Sequence, residues 1–334
     1  MASSCPQSFI DLPKVELHVH MEGSIRPETL LKLAKKNCVS LPADSVEGLQ
    51  SWYVFRDFEH FVEIYVAISN CIKTPEDIEL ITREFLDGQA AQNVLHSEVT
   101  YTACTIRKLT GIPWDEQFDA IKRGMQYGLE KHGITMGLIL DIVRGDSPDV
   151  ANEVAEWAVN GHGEGVLALG LAGSEARDAA RPYIEAFAYA KRAGLPIIPH
   201  AGETQGPESI WEALELCDPP RIGHGIRCLD DPDLVEELKK RGTVMEVCPT
   251  SNVCLTPIAS ISDHPIQGMM EMGLNVTINS DDPPMFNTTI SDEYHRVGSA
   301  FGWDHEVVKQ IARNAVDWSL LSEDAKAKLQ IKFD

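Results

Sequence analysis

The stretch Val15-Glu16-Leu17-His18-Val19-His20, near the start of the chain, combines a largely apolar run with a His-x-His pair. Side chains of a β-strand alternate between its two faces, so residues two apart point the same way. On a strand, the imidazoles of His18 and His20 would lie side by side, where both can bind one metal ion at about 2.0–2.1 Å. The pair alone is weak evidence for a metal site, and other parts of the chain strengthen it.

Seven further short runs along the chain also have the pattern of strands. The eight runs are Val15–Val19, Val94–Tyr101, Thr135–Val143, Gly165–Leu171, Pro196–Pro199, Arg221–Gly225, Thr243–Val247 and Asn275–Ile278. Several are nearly continuous in apolar residues, as strands buried on both faces are. The stretches between them include predicted helices at Ser147–Val159, Asp178–Ala193, Ser209–Leu216 and Pro232–Arg241. Strands alternating with helices predict an α/β fold, a parallel (β/α)8 TIM barrel, with residues 1–334 as a single domain.

An open doubly wound sheet is the alternative, but its Gly-x-Gly-x-x-Gly turn after the first strand is missing. Residues 26–92 are too many for one crossover, and we expect several helices there, including Trp52–Phe55 and Phe58–Ile68. An insertion after the first strand of a barrel lies over the mouth, so these extra helices predict a lid, although a cap that never moves is equally compatible. Leu320–Asp334 has the composition of a terminal surface helix.

The composition argues against several classes of protein. A formal net charge of −22 makes nucleic acid an unsuitable partner, because its phosphates would be repelled. There is no apolar run of about 18 residues to predict a membrane span, and the first residues lack the pattern of a signal peptide. Eight irregularly spaced cysteines favour buried, reduced thiols and a cytoplasmic protein over a disulfide framework. The oligomeric state is not readable from the sequence.

Polar residues follow several predicted strands, at the end that a barrel turns toward one pocket. His200, Glu203 and His224 follow the fifth and sixth strands, and Asp281-Asp282 follows the eighth. Three histidines and a carboxylate suit zinc, which lowers the pKa of a bound water to about 7. His224 and Asp281 are then placed to accept a proton and orient the attacking hydroxide, and Glu203 is a candidate general acid.

Each of these residues also has an ordinary structural interpretation. His224 could be a turn histidine, Asp281-Asp282 a turn or helix cap, and Glu203 or Glu22 a capping carboxylate. The remaining histidines are expected at the surface, at caps or in the core, and His96 on the second strand is the strongest other candidate. They are His60, His96, His132, His162, His264, His295 and His305.

Four motifs together resemble the adenosine deaminase family of the amidohydrolase superfamily. They are Lys14–Ser24, His200-Ala201-Gly202-Glu203, Gly223-His224-Gly225 and Ser280-Asp281-Asp282-Pro283. The resemblance covers essentially the whole chain and implies a barrel with one zinc ion that hydrolyses the 6-amino group of a purine and releases ammonia. It implies metal binding by His18, His20, His200 and Asp281, catalysis by Glu203, His224 and Asp281, and substrate contacts from His20, Glu22, Gly173 and Asp282. The superfamily's bridging lysine at the end of the fourth strand is absent, so one metal ion is expected.

Departures from the family pattern bear on the substrate. Adenosine deaminases usually have Asp where Glu22 stands, to bind the ribose 5′-hydroxyl, and Gly-Asp-Glu in place of Gly173-Ser174-Glu175. Other stretches resemble adenine deaminases and aminodeoxyfutalosine deaminases. We therefore expect adenosine first, adenine or a 5′-modified adenosine (aminodeoxyfutalosine) as the alternative, and a non-catalytic nucleoside-binding protein as a remote one. Arg144, if it faced the 5′ end, would favour an anionic extension.

Overall fold

A computed structural model describes residues 5–176 and 180–333 and confirms the barrel. Its eight parallel strands are hydrogen-bonded in sequence order, each to the next. They are β1 (Lys14–His20), β2 (Val94–Tyr101), β3 (Thr135–Val143), β4 (Val166–Ala172), β5 (Ile197–Ala201), β6 (Arg221–His224), β7 (Val244–Val247) and β8 (Asn275–Ile278). The amide of His20 donates to the Asp281 carbonyl (2.8 Å) and the Asp281 amide donates to the His18 carbonyl (3.2 Å). These two bonds join the chain after β8 to β1 and close the barrel.

The described residues form sixteen α-helices, most of which lie in the crossovers between strands. They are α1 (Gln7–Asp11), α2 (Pro27–Lys36), α3 (Val46–Trp52), α4 (Phe58–Ser69), α5 (Pro75–Ala90), α6 (Ala103–Thr110), α7 (Trp114–His132), α8 (Pro148–Gly161), α9 (Ile184–Arg192), α10 (Pro207–Cys217), α11 (Pro232–Arg241), α12 (Pro249–Leu255), α13 (Ile266–Glu271), α14 (Ile290–Phe301), α15 (His305–Trp318) and α16 (Glu323–Gln330). None of these helices has both the length and the apolar composition needed to cross a bilayer.

The strands are buried on both faces, as their nearly continuous apolar sequences predicted. Every residue of β1, β5, β6 and β7 is buried. Outside the barrel, α5 and α7 approach closely because α7 has glycine at two contact points. A Cβ on Gly124 would lie 2.5 Å from Thr82, and a Cβ on Gly128 would lie 2.6 Å from Leu86. These glycines let the two helices pack backbone to side chain.

The end of the barrel opposite its mouth is filled by apolar side chains and sealed by the C-terminal segment. Ile139, Ala168 and Ile198 form this floor, and Leu320 packs against it. The backbone amide of Leu320 also donates to Glu98 inside the barrel. Leu320 is therefore part of the barrel's interior packing, whereas α16 has no buried residue and is the terminal surface helix that the sequence predicted.

Three helix predictions differ from the structure in their bounds. Trp52–Phe55 is not a helix, because α3 ends at Trp52 and the Phe55 ring packs edge-on against Phe61 and Phe286. The terminal helix begins only at Glu323, because the preceding residues bind the barrel floor. The helix predicted from Asp178 starts outside the described residues, and α9 itself begins at Ile184 after a short 3-10 turn (Arg181–Tyr183).

Replacing Phe187 tests whether the chain is one domain, as we propose. Phe187 is fully buried on α9, whereas Tyr189 on the same helix is 39% exposed. Phe187→Ala should lower the free energy of unfolding by about 3–5 kcal/mol, because it leaves a cavity in the core. Denaturant unfolding followed by circular dichroism should show one transition, shifted as a whole. Tyr189→Ala is the matched control, with an expected change below about 1 kcal/mol; two separable transitions would contradict the single domain.

Candidate metal centre and active site

The carboxyl ends of the strands bring the predicted metal ligands together at the barrel mouth. The Nε2 atoms of His20 and His200 are 3.3 Å apart. Oδ1 of Asp281 lies 3.3 Å from His20 Nε2 and 3.5 Å from His18 Nε2. Four atoms placed about 2.05 Å from one tetrahedral ion would lie about 3.3 Å from one another. The side chains therefore have the spacing of ligands around a single ion.

The electrostatics of this cluster also suit a cation. Nε2 of His18 is buried and has no hydrogen-bond partner among the described residues. Burial alone would raise the pKa of Asp281, but the adjacent imidazoles of His18 and His20 hold it well below its usual value. The result is a charged carboxylate next to imidazole nitrogens in a dry interior, which is costly unless a positive charge is bound there.

Two of the predicted ligands are held in orientation by hydrogen bonds on the side of the ring that faces away from the site. Nδ1 of His18 is 2.8 Å from Oε2 of Glu246, and Nδ1 of His200 is 3.0 Å from the Leu171 carbonyl. Both partners are acceptors, so each Nδ1 carries the proton and each Nε2 presents a lone pair to the site. The sequence analysis gave Glu246 no role. The only signal was a charged residue within the apolar run Thr243–Val247.

Glu246 belongs to a chain of buried charges that runs from the metal centre to the barrel floor. Arg221 donates to Glu246 through Nε and to Glu98 through Nη2. Its third contact is with the Trp318 carbonyl, at 2.8 Å from Nη1. Burial opposes ionisation, but the Arg221 charge lowers the pKa of Glu98 to about 2. The orientation of His18 is thus tied to the far end of the barrel.

His224 adjoins the predicted ligands, and its imidazole lies with His18, Cys248 and Asp281 in a second group of possible ligand atoms within 4.8 Å of one another. Its Nε2 is 3.7 Å from Oε2 of Glu203 and 3.9 Å from Oδ2 of Asp281. Both His224 (φ +62°) and Asp281 (φ +64°) have left-handed backbone, which is uncommon for non-glycine residues. A Cβ on the preceding Gly223 would lie 2.7 Å from the His18 ring, so glycine is needed there. Burial lowers the pKa of His224 to about 4, and its imidazole is neutral.

The turn that presents Glu203 is held by a second carboxylate, Glu175. Its oxygens accept from the amides of Gly202 (2.8 Å), Glu203 (3.0 Å) and Thr204 (2.8 Å). Burial and the negative charge of Asp281 raise the pKa of Glu203 well above its usual value. This environment favours the protonated form of Glu203, the form that a general acid needs. Its dependence on Glu175 was not predicted.

Asp282 and Gly173 lie on the wall of the same cavity. Oδ1 of Asp282 is buried without a partner among the described residues and faces Gly23, whose Cβ would lie 1.6 Å from it. Burial and neighbouring Asp281 raise the pKa of Asp282 well above its usual value, so it too can carry a proton. Gly173 has φ +88° and lines the cavity.

Glu22 and Arg144 are both directed away from the cavity. Glu22 accepts from the Thr102 amide (3.0 Å) and from the Tyr65 hydroxyl (2.9 Å), and it lies behind Tyr65. Its contact with a substrate stays a prediction. Arg144 donates to the carbonyls of Gly173 (3.2 Å) and His200 (2.6 Å). It is not among the described residues that line the cavity, so it offers no positive charge to an anionic extension.

The cavity over the metal cluster measures about 670 Å³, including its open mouth. Beyond the catalytic groups its wall is apolar, with Thr102 and Thr105 as the polar exceptions. Helix α4 covers one side, as the predicted lid would, and its Phe61 ring stacks on Phe286 with centroids 5.6 Å apart. The described lining residues are His20, Phe58, Phe61, Val62, Tyr65, Val66, Thr102, Thr105, Val143, Ala172, Gly173, His200, Glu203, His224, Asp281 and Asp282.

Three residues outside the predicted site have informative positions. The Cys248 sulfur lies within 4.8 Å of ligand atoms of His18, His224 and Asp281. Burial raises its pKa well above the usual value, so it is a neutral thiol there. His96 bonds to Thr135 (2.7 Å) near the start of β3 and is not part of the mouth. His264 lies behind His224 and is linked to it through Asn252.

The comparisons with known proteins agree with this geometry. The family model described as adenosine deaminase matches residues 13–334. An aminodeoxyfutalosine deaminase of Streptomyces coelicolor is 37% identical over 97% of this chain and 84% of its own length. The crystal structure of an adenine deaminase from Arthrobacter aurescens has a TM-score of 0.91 and 31% identity, covering 96% of this chain and 98% of that one. A Burkholderia ambifaria amidohydrolase with bound Zn has a TM-score of 0.90 and 27% identity, covering 100% and 92%.

Changing Glu246 should weaken metal binding without touching a ligand. In Glu246→Gln the amide cannot accept from both His18 and Arg221, so the His18 ring loses its fixed orientation. We expect zinc affinity to fall about 10–100-fold, as for other residues that orient metal-bound histidines. Competition with a chromophoric chelator measures this. Glu306→Gln, an exposed carboxyl on α15, is the control, and equal zinc retention in the two variants would contradict the role of Glu246.

Proposed function

Since this chain belongs to the adenosine deaminase family, we propose that it is a zinc-dependent hydrolase that converts a 6-aminopurine to the 6-oxo compound and ammonia. The observation that carries the proposal is the carboxyl of Glu203, which is buried in the same cavity as His20, His200 and Asp281 and lies 3.7 Å from His224. A metal cluster beside a carboxylic acid provides the two groups that hydrolytic deamination needs, one for the nucleophile and one for the purine ring.

Zinc is the metal we propose for the cluster of His18, His20, His200 and Asp281. Imidazole nitrogens with one carboxylate are a donor set that zinc accepts readily, and the Burkholderia neighbour contains Zn. When bound, zinc supplies hydroxide at neutral pH, because it lowers the pKa of a coordinated water to about 7.

The remaining residues bind and protonate the purine. Glu203 donates its proton to N1, which makes C6 more electrophilic toward water. N7 is a hydrogen-bond acceptor, so the protonated form of Asp282 is the one that can bind it. The Gly173 backbone contacts N3. Water adds at C6 and gives one proton to the side of Asp281 and His224. The amino group takes up that proton and leaves as ammonia, while the C6 hydroxyl returns a proton to Glu203 and becomes the 6-oxo group.

The wall of the cavity favours an uncharged or apolar substituent on the purine. Phe58, Phe61, Val62 and Val66 line the cavity, and no Lys or Arg of the described residues does. A phosphate placed against this wall would lose its hydration without gaining a cation. We therefore rank a 5′-modified adenosine with an uncharged extension first, ahead of the plain adenosine expected from the sequence, and nucleotides last.

Adenine is the second candidate. The observation that favours it is the burial of Glu22 behind Tyr65, because this carboxylate is then not presented to a ribose 5′-hydroxyl. The similarity to the Arthrobacter adenine deaminase supports it as well. We also place the protein in the cytoplasm, where buried thiols such as those of Cys71, Cys104 and Cys217 stay reduced.

Replacing Glu203 tests the proton donor. Glu203→Gln keeps the shape but removes the acidic proton, so kcat should fall at least about 10²-fold while zinc content stays at one per chain. Ammonia release and zinc analysis on the same sample measure both. The control is Glu208→Gln, an exposed carboxyl on α10, which should behave as wild type. Unchanged turnover in Glu203→Gln would contradict the mechanism.

A substrate panel tests the predicted selectivity. We expect kcat/KM to be highest for the uncharged 5′-methylthioadenosine, lower for adenosine, adenine and the carboxylate-bearing aminodeoxyfutalosine, and lowest for AMP. Val66→Lys should raise kcat/KM for AMP relative to adenosine, because it adds a cation at the cavity wall. Val54→Lys is the matched control, since Val54 is exposed but does not line the cavity. If no 6-aminopurine releases ammonia, the proposed function is wrong, and efficient use of AMP would contradict the selectivity.

A further inference from the structure

A line of hydrogen bonds leads away from His224 into the protein, on the side opposite the metal cluster. The backbone amide of Ile266 donates to Nδ1 of His264 (3.1 Å). Nε2 of His264 is 3.1 Å from Oδ1 of Asn252, and Nδ2 of Asn252 is 3.1 Å from Nδ1 of His224. His264, Asn252 and His224 are at most 3% exposed. None of the proposed steps uses His264 or Asn252.

The first bond of this line fixes the direction of all the others. A backbone N–H can only donate, so Nδ1 of His264 is an acceptor and its proton is on Nε2. Nε2 therefore donates to Asn252, which must turn its carbonyl oxygen toward His264 and its NH2 group toward His224. That NH2 group donates to Nδ1 of His224. The proton of neutral His224 is consequently on Nε2, the atom that faces Glu203 and Asp281.

The reverse arrangement fails at its first link. Turning the Asn252 amide over would place its NH2 group against the Nε2–H of His264, so that two donors face each other with no acceptor. The partners are also held by separate elements, since Asn252 is on α12 and His264 precedes α13.

We propose that Asn252 and His264 are positioning residues that hold His224 in its Nε2–H tautomer, so that His224 donates a hydrogen bond toward the attacking water and Asp281 alone accepts its proton. This inference rests on the proposed deamination. It divides the roles that the sequence analysis gave jointly to His224 and Asp281. A neutral imidazole with its proton on Nε2 has no lone pair on that atom to act as a base.

Asn252→Asp should reverse the hydrogen bond between residue 252 and His224 with almost no change in side-chain shape. The carboxylate accepts from both histidines, so His224 must carry its proton on Nδ1 and present a bare Nε2 to the site. We expect kcat to fall at least about 10²-fold with little change in KM, since the wrong tautomer of a catalytic histidine costs about 10⁴-fold in a serine protease triad. Retained kcat in a variant with the reversed tautomer would overturn the donor role, because a histidine base would work at least as well in that form.

¹⁵N NMR of the zinc-loaded protein, labelled at the histidine rings, reports the tautomer of His224. The signals of His224 are identified because they are missing from the spectrum of His224→Gln. The wild type should show a protonated Nε2 and a bare Nδ1 on His224, and the opposite pattern would overturn the proposal. This readout needs no turnover. If the protein deaminates no purine, the proposed function is wrong, but the NMR spectrum still decides which tautomer His224 adopts.

Variants of His264 keep the test decisive if Asn252→Asp does not fold. His264→Gln retains an N–H donor for Asn252 and should keep the wild-type tautomer and most of kcat. His264→Leu removes the donor and should lower kcat and broaden or reverse the His224 signals. Cys254→Ser, an exposed change on α12, is the matched control. If His264→Leu has the kcat of the wild type and an unchanged His224 tautomer, the proposed positioning role of His264 is wrong.

Discussion

The structure depends on gathering charged and polar side chains in the dry mouth of a barrel without leaving them unsatisfied. An isolated ion buried in a protein costs several kcal/mol even after relaxation, and this site contains Asp281 and Glu246 as well as its histidines. Glu246 is neutralised by Arg221, while Glu203 and Asp282 avoid the cost by keeping their protons. The unsatisfied nitrogen of His18 is where a cation completes the balance.

The same constraint explains why the groups that work on the substrate are each held by a second polar group. Glu246 holds His18, Glu175 holds the Glu203 turn, and Asn252 with His264 hold His224. A loop residue that must keep one geometry in the absence of water needs such partners, because water cannot supply the missing hydrogen bonds. The site is therefore rigid because it excludes water.

The sequence predicted the barrel well because its strands are buried on both faces, and the runs at Val94–Tyr101, Thr135–Val143 and Asn275–Ile278 have the observed bounds. It also predicted which side chains meet at the mouth, since strand ends converge in this fold. It could not predict Glu246, Glu175 or His264, whose roles depend on which residues face each other across the barrel. The helix predicted over Trp52–Phe55 was wrong for a similar reason, because the backbone conformation of Phe55 depends on contacts with rings that are distant in the sequence.

The closure of the barrel has a consequence for how the protein matures as it is synthesised. Asp281 joins β1 through backbone bonds, and Arg221 and Glu98 bond to Trp318 and Leu320, which follow β8 by a long stretch of chain. A nascent chain still missing these residues holds His18 and His20 but neither the aspartate nor the complete set of contacts around Arg221. A metal ion bound by this cluster would therefore reach its final geometry only after residues 281–320 have emerged and packed against the barrel.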